Sequence, residues 1–313
     1  MHKTLAEYIT YWLETVKRPQ VRPQTYMRLQ TSQKAIQNFP IANMQISDIT
    51  CQDIMNFIDA LIQKGYAWST IKKLHELVAC ALRHAASMRY LPSNPDEGVS
   101  LPKSDRALKP RRATRNFTLE DQTKLWREIE KDPRPAYAVI GVLLDTGMRI
   151  NEALALNWSD IDFRRKAIAV HSTMVRTAGA APTKAPAPKT FCSNRTIPIL
   201  PRALKLLNHL RRESISDAVF ANPDGTRLTY DAVRAQLKTL CKRANVPYQS
   251  THAARYSMAT NCYNAGIDLK LTSRLLGHAD TAVTLNIYTK LRGDGFDQLA
   301  DALSVLDPNK KST

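Results

Sequence analysis

The stretch 247–292 constrains the fold of this chain most, because it contains three short helical patterns bounded by turn and capping residues. Ser250 or Thr251 is suited to cap the first helix. That helix then opens with His252 and Arg255, whose spacing of three puts them on one face. Side chains at helix ends converge more easily than those in helix middles. The stretch therefore indicates a site built from helix termini.

The second and third helical patterns add two more polar groups. The second stops at Gly277, a residue suited to a left-handed cap, and His278 follows at once. Asp280 or Thr281 can cap the third helix, with Tyr288 near its end. The residues expected to face inward on this helix are Ala282, Val283, Leu285 and Ile287.

The charge balance raises the question of a polyanionic partner. Lys and Arg number 45 against 28 Asp and Glu, a formal net charge of +17. Residues 102–115 hold six basic residues and one acidic residue, and such a run can follow a phosphate backbone, although a solvated surface is the plain alternative. The candidate DNA-binding residues in this run are Lys103, Arg106, Lys109, Arg111, Arg112 and Arg115.

Cysteine usage and hydropathy indicate the compartment. The five cysteines are scattered, odd in number and never spaced as CxxC, which favours free thiols over a zinc site or a disulfide framework. No uninterrupted apolar run approaches 18 residues, and the N-terminus lacks a signal-peptide pattern. We therefore expect a soluble, intracellular protein without a membrane partner.

Periodicity predicts a mainly α-helical chain with a small β-sheet, divided into four parts. Residues 1–100 form a helical domain, and 101–116 form a basic interdomain linker. Residues 117–292 form a second, α+β domain. Residues 293–313 form a tail helix with one apolar stripe, which packs on its own domain or on a neighbour.

The β-structure is expected on both sides of an unusual insertion. Residues 161–170 alternate around a basic turn, and residues 195–199 resume a strand pattern. Between them, residues 177–188 are rich in Ala and Pro and indicate a flexible loop, not a strand. Lys189 then lies on the rising side of a β-hairpin, a position where a lysine is ordinarily exposed and inert.

The candidate groups together suit a phosphodiester. The sequence shows no aspartate cluster for metal ligands and no Gly-rich nucleotide loop. Arginine forks match phosphate oxygens, and fixed cations stabilise the charge of a phosphoryl transition state. A phenol, whose ordinary pKa is about 10, needs a base or a positive field to act as nucleophile. The candidates are Tyr288, Arg149, Arg255, His252, His278 and Lys189. Taken singly, Arg149 is more often only a salt-bridge partner, here of Glu152.

Five motifs in order resemble the tyrosine recombinases of the phage-integrase type, and the resemblance spans nearly the whole chain. The motifs are TGMRINEALALNWSDIDF (146–163), similar to the first-arginine box; PKTFCSNRTIPI (188–199), similar to the lysine hairpin; HAAR (252–255); LLGH (275–278); and TAVTLNIYTK (281–290), similar to the nucleophile segment. One such motif is weak, and five in the right order are a specific signal.

The resemblance implies a role for each candidate. Tyr288 attacks a DNA phosphate to give a 3′-phosphotyrosyl bond and a free 5′-hydroxyl. Arg149 and Arg255 hold the non-bridging oxygens, and Lys189 protonates the leaving 5′-oxygen. The chemistry it implies uses neither ATP nor a metal, and we expect no cofactor.

Both histidines also receive roles, and two positions depart from the family pattern. The resemblance implies proton transfer around the nucleophile for His252 and a hydrogen bond to the phosphate for His278. Ala254 stands where leucine is usual, which leaves a smaller core contact. The insertion 177–188 lengthens the hairpin and holds Lys184, a rival to the hairpin lysine.

The resemblance also implies an architecture and partners. Residues 1–100 resemble a SAM-like core-binding domain that closes, with the linker and the catalytic domain 117–292, a C-shaped clamp around double-stranded DNA at core recombination sites. The tail helix docks in trans and links four subunits. Accessory directionality or DNA-bending proteins would be further partners, in the nucleoid of the bacterial cytoplasm. Because Met1 lies three residues before the first helical stripe, we expect no separate arm-site-binding domain.

An integrase of a phage or integrative element, acting by strand exchange in integration or excision, is the leading functional interpretation. A Xer-type dimer resolvase and a type IB topoisomerase would share its chemistry, although a monomeric topoisomerase has no use for the tail helix. A catalytically inactive DNA-binding regulator is the alternative from another class. The presence of Tyr288 and both arginines argues against it.

Overall fold

The computed structural model describes residues 3–102, 116–175, 181–186, 194–278, 280–282 and 284–285. It is mainly helical with small antiparallel sheets, which confirms the predicted fold class. The chain divides into two compact units. Residues 3–102 lie in the first unit, and residues 116–175 with the described residues from 182 onward lie in the second.

In the first unit, every helix or strand element over residues 3–102 is a helix. Its helices are α1 (Leu5–Trp12), α2 (Arg18–Gln20), α3 (Pro23–Ile36), α4 (Cys51–Gln63) and α5 (Trp68–Ser87). A π-helical turn, Leu13–Lys17, joins α1 to α2. Thr4 and Thr50 begin α1 and α4, because each side chain accepts the N3 amide while the N3 carboxylate accepts the threonine amide.

The core of the first unit lies between α1, α3, α4 and α5 and contains Leu5, Tyr8, Ile9, Trp12, Ile54, Leu61, Ile71 and Leu82. Two buried polar contacts fix its periphery. His75 lies 2.8 Å from Asp96, which ties α5 to the segment after it. The Tyr8 hydroxyl lies 2.8 Å from His84, which ties α1 to α5.

The second unit is built around α7 (Pro135–Thr146), whose residues are buried all along the helix. Its other helices are α6 (Leu119–Lys131), α8 (Ile150–Leu154), α9 (Pro201–Glu213), α10 (Tyr230–Arg243), α11 (Thr251–Asn264) and α12 (Leu269–Leu276). Helices α6, α9, α10 and α11 all contact α7. A continuous apolar run suits such a central helix, because every face of it is covered.

Five strands form two small antiparallel sheets in the second unit. They are β1 (Ile161–Asp162), β2 (Ala167–Val170), β3 (Ser172–Val175), β4 (Thr183–Pro186) and β5 (Arg195–Pro198). One sheet has the order β1-β2-β5, with Ile168 opposite Ile197, and the other pairs β3 with β4, with Met174 opposite Lys184. The predicted strands at 161–170 and 195–199 are therefore confirmed.

The prediction of a loop over 177–188 is wrong for its second half. Residues 183–186 form β4, while residues 176–180 and 187–193 lie outside the described part of the chain. Ala and Pro have low strand propensity, but backbone pairing with β3 decides the outcome here. Pro186 closes the strand at its end, on a sheet edge, where a residue without an N–H is tolerated.

Two further sequence predictions can be compared with the described residues. Cys51, Cys80, Cys241 and Cys262 are free thiols, as expected of them. In the part of the chain that the structure describes, no helix is long and apolar enough to cross a membrane. The predicted tail helix, 293–313, lies outside the part of the chain that the structure describes.

Candidate active site

The end of the central helix supplies the first part of the site. Helix α7 ends at Gly147, whose φ of +63° is the left-handed conformation that glycine adopts without a Cβ penalty. A Cβ at this position would lie 2.5 Å from Leu276 Cδ2 and 3.0 Å from Met258 Cγ. The tight turn thus lets α11 and α12 approach the chain just before Arg149, the N-cap residue of α8.

Arg149 is both a salt-bridge partner and a site residue. Its Nη1 lies 2.8 Å from Glu152 Oε1, the pairing considered from sequence, and its Nη2 donates to the Gly277 carbonyl at 3.2 Å. The side chain is nevertheless 45% exposed. A guanidinium anchored on one side and open on the other can still take an anion from solvent.

Arg255 lies deepest in the site and is only 2% exposed. Its Nη1 donates to the Gly147 carbonyl at 3.0 Å and its Nε to His278 Nε2 at 3.3 Å. Its buried Nη2 finds no hydrogen-bond partner among the described residues. Burial, together with the neighbouring Arg149, lowers the pKa of Arg255 to about 9, so the group is still a cation at neutral pH. A buried cationic donor without a hydrogen-bond partner lowers the stability of the folded protein unless an anion binds to it.

His278 follows the left-handed cap of α12 and is held at both ring nitrogens. Its Nε2 accepts from Arg255, and its Nδ1 lies 2.7 Å from the Thr284 hydroxyl. Burial, followed by the charges of Arg255 and Arg149, lowers the pKa of His278 to about 4. The imidazole is therefore neutral at physiological pH.

The helix predicted from Asp280 begins as expected but turns a different face inward. The Asp280 carboxylate accepts from the amide of Ala282 at 2.8 Å. Ala282 and Leu285 are exposed, whereas Thr284 is fully buried. The prediction that Ala282 and Leu285 face inward is thus wrong, because a polar contact to His278, and not apolar packing, fixes the rotation of this turn.

His252 stands in the first turn of α11, at the exposed edge of the site. Its ring meets Tyr256 edge-on, with 5.0 Å between the ring centroids. Desolvation by the surrounding protein, with the charges of Arg255 and Arg149, lowers the pKa of His252. A neutral imidazole is therefore favoured at neutral pH, the form that can accept a proton.

Two further residues belong to the site. The sequence did not point to Arg195, and it pointed to Glu152 only as a salt-bridge partner of Arg149. Glu152 is a buried carboxylate that binds Arg149 and also Arg195, whose Nη2 lies 2.7 Å away. Arg195 Nε donates to the Leu275 carbonyl at 2.8 Å. Burial tends to raise the pKa of Glu152, but the hydrogen bonds and charges of Arg195 and Arg149 together outweigh it and hold the pKa below its ordinary value. Period-two alternation with buried Ile197 would have placed Arg195 inward.

The structure brings together four of the six predicted catalytic residues: Arg149, His252, Arg255 and His278. Lys189 and Tyr288 lie outside the described residues, as do the linker residues Lys103, Arg106, Lys109, Arg111, Arg112 and Arg115. The rival Lys184 is described, and its Nζ lies 3.6 Å from the buried carboxylate of Asp160. Asp160 also lies 2.8 Å from His171 Nε2.

The charges of the site suit a phosphate. The site holds three guanidinium groups, two of them paired with the single carboxylate of Glu152, so the described side chains leave an excess of positive charge beside two neutral imidazoles. Within the described ranges, no three His, Cys, Asp or Glu side chains are grouped as metal ligands would be. Fixed guanidinium groups can hold the non-bridging oxygens of a phosphoryl group directly.

Two family models match the chain. The model described as the phage integrase family matches residues 115–293, and the model described as the phage integrase N-terminal SAM-like domain matches residues 4–62. The first match alone covers more than half of the chain and contains all four of the described site residues.

The chain is also similar to individual named proteins. The chain is 30% identical over 311 residues to the "Tyrosine recombinase XerC-like" protein of Caldanaerobacter subterraneus subsp. tengcongensis, a match covering 91% of this chain and 79% of the relative. It is 24% identical over 296 residues to the "Transposase from transposon Tn916" of Enterococcus faecalis, covering 89% of this chain and 72% of the relative.

Solved structures show the same fold. The Tn1549 transposon integrase in complex with transposon right end DNA superposes with a TM-score of 0.79 at 20% identity, covering 95% of this chain and 100% of that one. A lambda integrase tetramer bound to a Holliday junction gives a TM-score of 0.68 at 18% identity, with coverage of 91% and 77%. From its motifs, its site and these matches, the chain belongs to the phage integrase family and is a site-specific tyrosine recombinase.

Proposed function

We propose that this recombinase cuts and rejoins double-stranded DNA through a 3′-phosphotyrosyl link to Tyr288, in the integration or excision of a mobile element. The observation that carries the proposal is the buried Arg255 Nη2, a cationic donor without a partner among the described residues, next to the half-exposed Arg149. A DNA phosphate is an anion that would satisfy both.

The two arginines would hold the reacting phosphate. Gly147 and His278 fix the Arg255 guanidinium on two of its nitrogens, which leaves the third for a non-bridging oxygen. Arg149 is fixed by Glu152 and the Gly277 carbonyl and would take the other oxygen. Charge that develops on these oxygens in the transition state then meets cations that need no reorganisation.

Proton transfers complete the step. The Tyr288 oxygen forms a bond to phosphorus while the bond from phosphorus to the 5′-oxygen breaks. His252, favoured in its neutral form, would accept the phenolic proton. Lys189 would donate a proton to the leaving 5′-oxygen. Lys184 is the weaker candidate for that role, because its ammonium group already lies 3.6 Å from Asp160.

The step conserves the phosphodiester energy in the protein–DNA link. A second DNA 5′-hydroxyl can therefore attack the phosphotyrosine, re-form a DNA phosphodiester and return the proton to the phenol, without ATP. Exchange of partners between two such steps gives recombination.

The assembly is proposed from the relatives and the charge distribution. The Tn1549 integrase structure contains transposon end DNA, and the lambda integrase structure is a tetramer on a Holliday junction. We infer that this chain also contacts DNA with both of its units and with the basic linker 101–116, and acts as a tetramer linked through residues 293–313. Its place of action would be the bacterial cytoplasm, where the DNA lies.

A chromosome-dimer resolvase is the second candidate, because one relative with 30% identity is described as XerC-like. The transposon relatives favour a mobile element. The DNA on either side of the coding region distinguishes the two, since an integrated element carries repeated attachment sequences at its two ends.

A trapped intermediate tests the chemistry. Duplexes from the flanking DNA, nicked so that the cut strand loses a short fragment, should accumulate a covalent protein–DNA adduct that is visible as a shifted band on a denaturing gel. Tyr288→Phe should abolish the adduct and leave DNA binding intact. An adduct that persists in this variant, or a wild-type protein that binds these duplexes and never links to them, would overturn the proposal.

A further inference from the structure

Arg149 and Arg195 bind the two oxygens of one carboxylate. Arg149 Nη1 lies 2.8 Å from Glu152 Oε1, and Arg195 Nη2 lies 2.7 Å from Glu152 Oε2. The Glu152 side chain is only 7% exposed. Each carboxylate oxygen therefore has its own guanidinium partner, and the position of Glu152 depends on both arginines.

The same two arginines also contact the end of α12. Arg195 Nε donates to the Leu275 carbonyl at 2.8 Å, and Arg149 Nη2 donates to the Gly277 carbonyl at 3.2 Å. The last carbonyls of a helix have no partner within the helix, so donors from elsewhere can satisfy them. Arg195 thus joins β5 to the carboxylate that anchors Arg149 and to the helix end that Arg149 also contacts.

Stability alone does not explain an arginine at position 195. Its side chain is 4% exposed, and its Nη1 is buried without a hydrogen-bond partner among the described residues. A buried ion pair is often no more stable than apolar side chains of similar size, and an unpaired buried donor lowers stability further. The other inward position of β5 holds Ile197, which is fully buried. The arginine at 195 therefore indicates a task other than packing.

We propose that Arg195 is a positioning residue for strand cleavage: it fixes Glu152, and Glu152 in turn orients Arg149 toward the DNA phosphate. The inference rests on the proposed function of Arg149. In this role Arg195 acts through the carboxylate and does not itself hold the phosphate.

Arg149 needs this support because its own side chain is 45% exposed. Water competes for the hydrogen bonds of such a group, and an ion pair with a mobile carboxylate would hold it weakly. Arg195 removes that mobility, because its planar fork binds the carboxylate and a main-chain carbonyl at once. A lysine has a single ammonium group in place of the fork and cannot hold both partners in the same geometry.

Rates of adduct formation on the nicked duplex give the first test, with urea denaturation to establish that each variant is folded. Arg195→Lys, which keeps the charge, should form the covalent adduct about 10-fold more slowly than the wild-type protein, and Arg195→Met about 100-fold more slowly, because a small displacement of Arg149 misaligns it with the phosphate. DNA affinity should stay near that of the wild-type protein. A wild-type rate in folded Arg195 variants overturns the proposal.

Arg202→Lys is the matched control. Arg202 also binds a buried carboxylate, with 2.9 Å between its Nε and Asp145 Oδ1, but this pair does not include Glu152. The variant should keep the wild-type rate of adduct formation. A loss as large as that of Arg195→Lys would mean that any weakened buried pair in this unit slows cleavage, and the proposal would fail.

A modified phosphate separates positioning from a general loss of structure. The reacting phosphate is replaced by a methylphosphonate, in which a methyl group takes the place of one non-bridging oxygen, and the two stereoisomers are tested separately. One isomer lacks the oxygen that Arg149 would hold, so Arg195→Lys should cleave this isomer as fast as the wild-type protein does. With the other isomer the variant should remain slower. The same loss with both isomers would contradict the positioning role.

Folding of the variants decides the remaining alternatives. If neither Arg195 variant folds while Arg202→Lys does, Arg195 is a structural residue and the positioning role is wrong. Absence of any adduct with the wild-type protein would overturn the proposed function and this inference with it. A wild-type adduct together with unchanged rates in the Arg195 variants would overturn this inference alone.

Discussion

Arg195 and Glu152 form a buried ion pair, with 2.7 Å between Nη2 and Oε2 and side chains only 4% and 7% exposed. The same carboxylate binds Arg149 at 2.8 Å, and Arg195 also reaches the Leu275 carbonyl of α12. One acidic side chain thus connects the β5 strand, the first arginine of the site and the helix that precedes His278.

Replacement of this carboxylate should cost both stability and activity. Glu152→Gln removes the charge that compensates two guanidinium groups, and breaking a buried pair in this way costs about 3 kcal/mol of unfolding free energy. Adduct formation should fall as well, since Arg149 loses its anchor. Urea denaturation measures the first effect, and the nicked-duplex assay measures the second. Lys124→Gln is the control, because it removes an exposed pair with Glu120 and should change stability by less than about 0.5 kcal/mol. Equal losses in the two variants would contradict the structural role of Glu152.

Alanine at Gly147 should be far worse than alanine at another left-handed glycine. Gly147 and Gly266 have φ values of +63° and +69°, but a Cβ at Gly266 meets nothing within 4 Å. Gly266→Ala should therefore cost only the backbone strain, about 1 kcal/mol. Gly147→Ala adds overlap with Leu276 and Met258 and should cost about 3 kcal/mol. Thermal or urea unfolding of both variants decides the matter, and equal destabilisation would refute the close packing described at Gly147.

Acid should destabilise the protein through His278. Its pKa in the folded chain, about 4, lies below the value of about 6.5 expected when unfolded. Between these values the unfolded chain binds more protons, so stability falls as pH decreases from 6.5 towards 4, and above 6.5 this group has no effect. Unfolding free energies of the wild-type protein and His278→Asn should diverge from their pH 7 difference only within that window. A difference that stays constant from pH 7 to pH 4.5 would show that His278 is not held neutral in the folded protein.

The basic linker should contribute counterion release to DNA binding. Arg111→Gln combined with Arg112→Gln should weaken binding and make the slope of log affinity against log salt shallower by about 2, if each contacts one phosphate. Arg164→Gln with Arg165→Gln removes the same charge from the exposed turn between β1 and β2 and serves as the control. Fluorescence anisotropy at several salt concentrations gives both slopes. The same change in both variants would assign the effect to net charge and not to the linker.

Helix ends were the part of the site that the sequence predicted well. Gly147 and Gly277 are stop signals that can be recognised in the sequence, and each places a candidate site residue, Arg149 or His278, next to a helix terminus. Helix α5 is a further example, because Ile71 and the residues in phase with it recur at helical spacing and are buried. Local chemistry determines such features, so the sequence is sufficient.

The features that could not be predicted from the sequence depend on contacts between distant segments. Arg195 meets a carbonyl 80 residues later and a carboxylate 43 residues earlier. Thr284 turns inward, against the apolar pattern, because its hydroxyl lies 2.7 Å from His278 Nδ1. Strand β4 forms from residues of low propensity, because β3 offers it unpaired backbone groups. In each case tertiary pairing overrides a local preference.

Strand β4 also changes how the long insertion should be understood. Without it, residues 176–194 would form a single excursion of nineteen residues, and a lysine within it could sample a wide volume. Because Thr183–Pro186 pairs with β3, Lys189 follows the last paired residue, Pro186, by three positions. A fully extended chain of that length spans roughly 10 Å. The β3–β4 ribbon thereby shortens the chain between the nearest paired residue and Lys189, the lysine proposed to protonate the leaving 5′-oxygen.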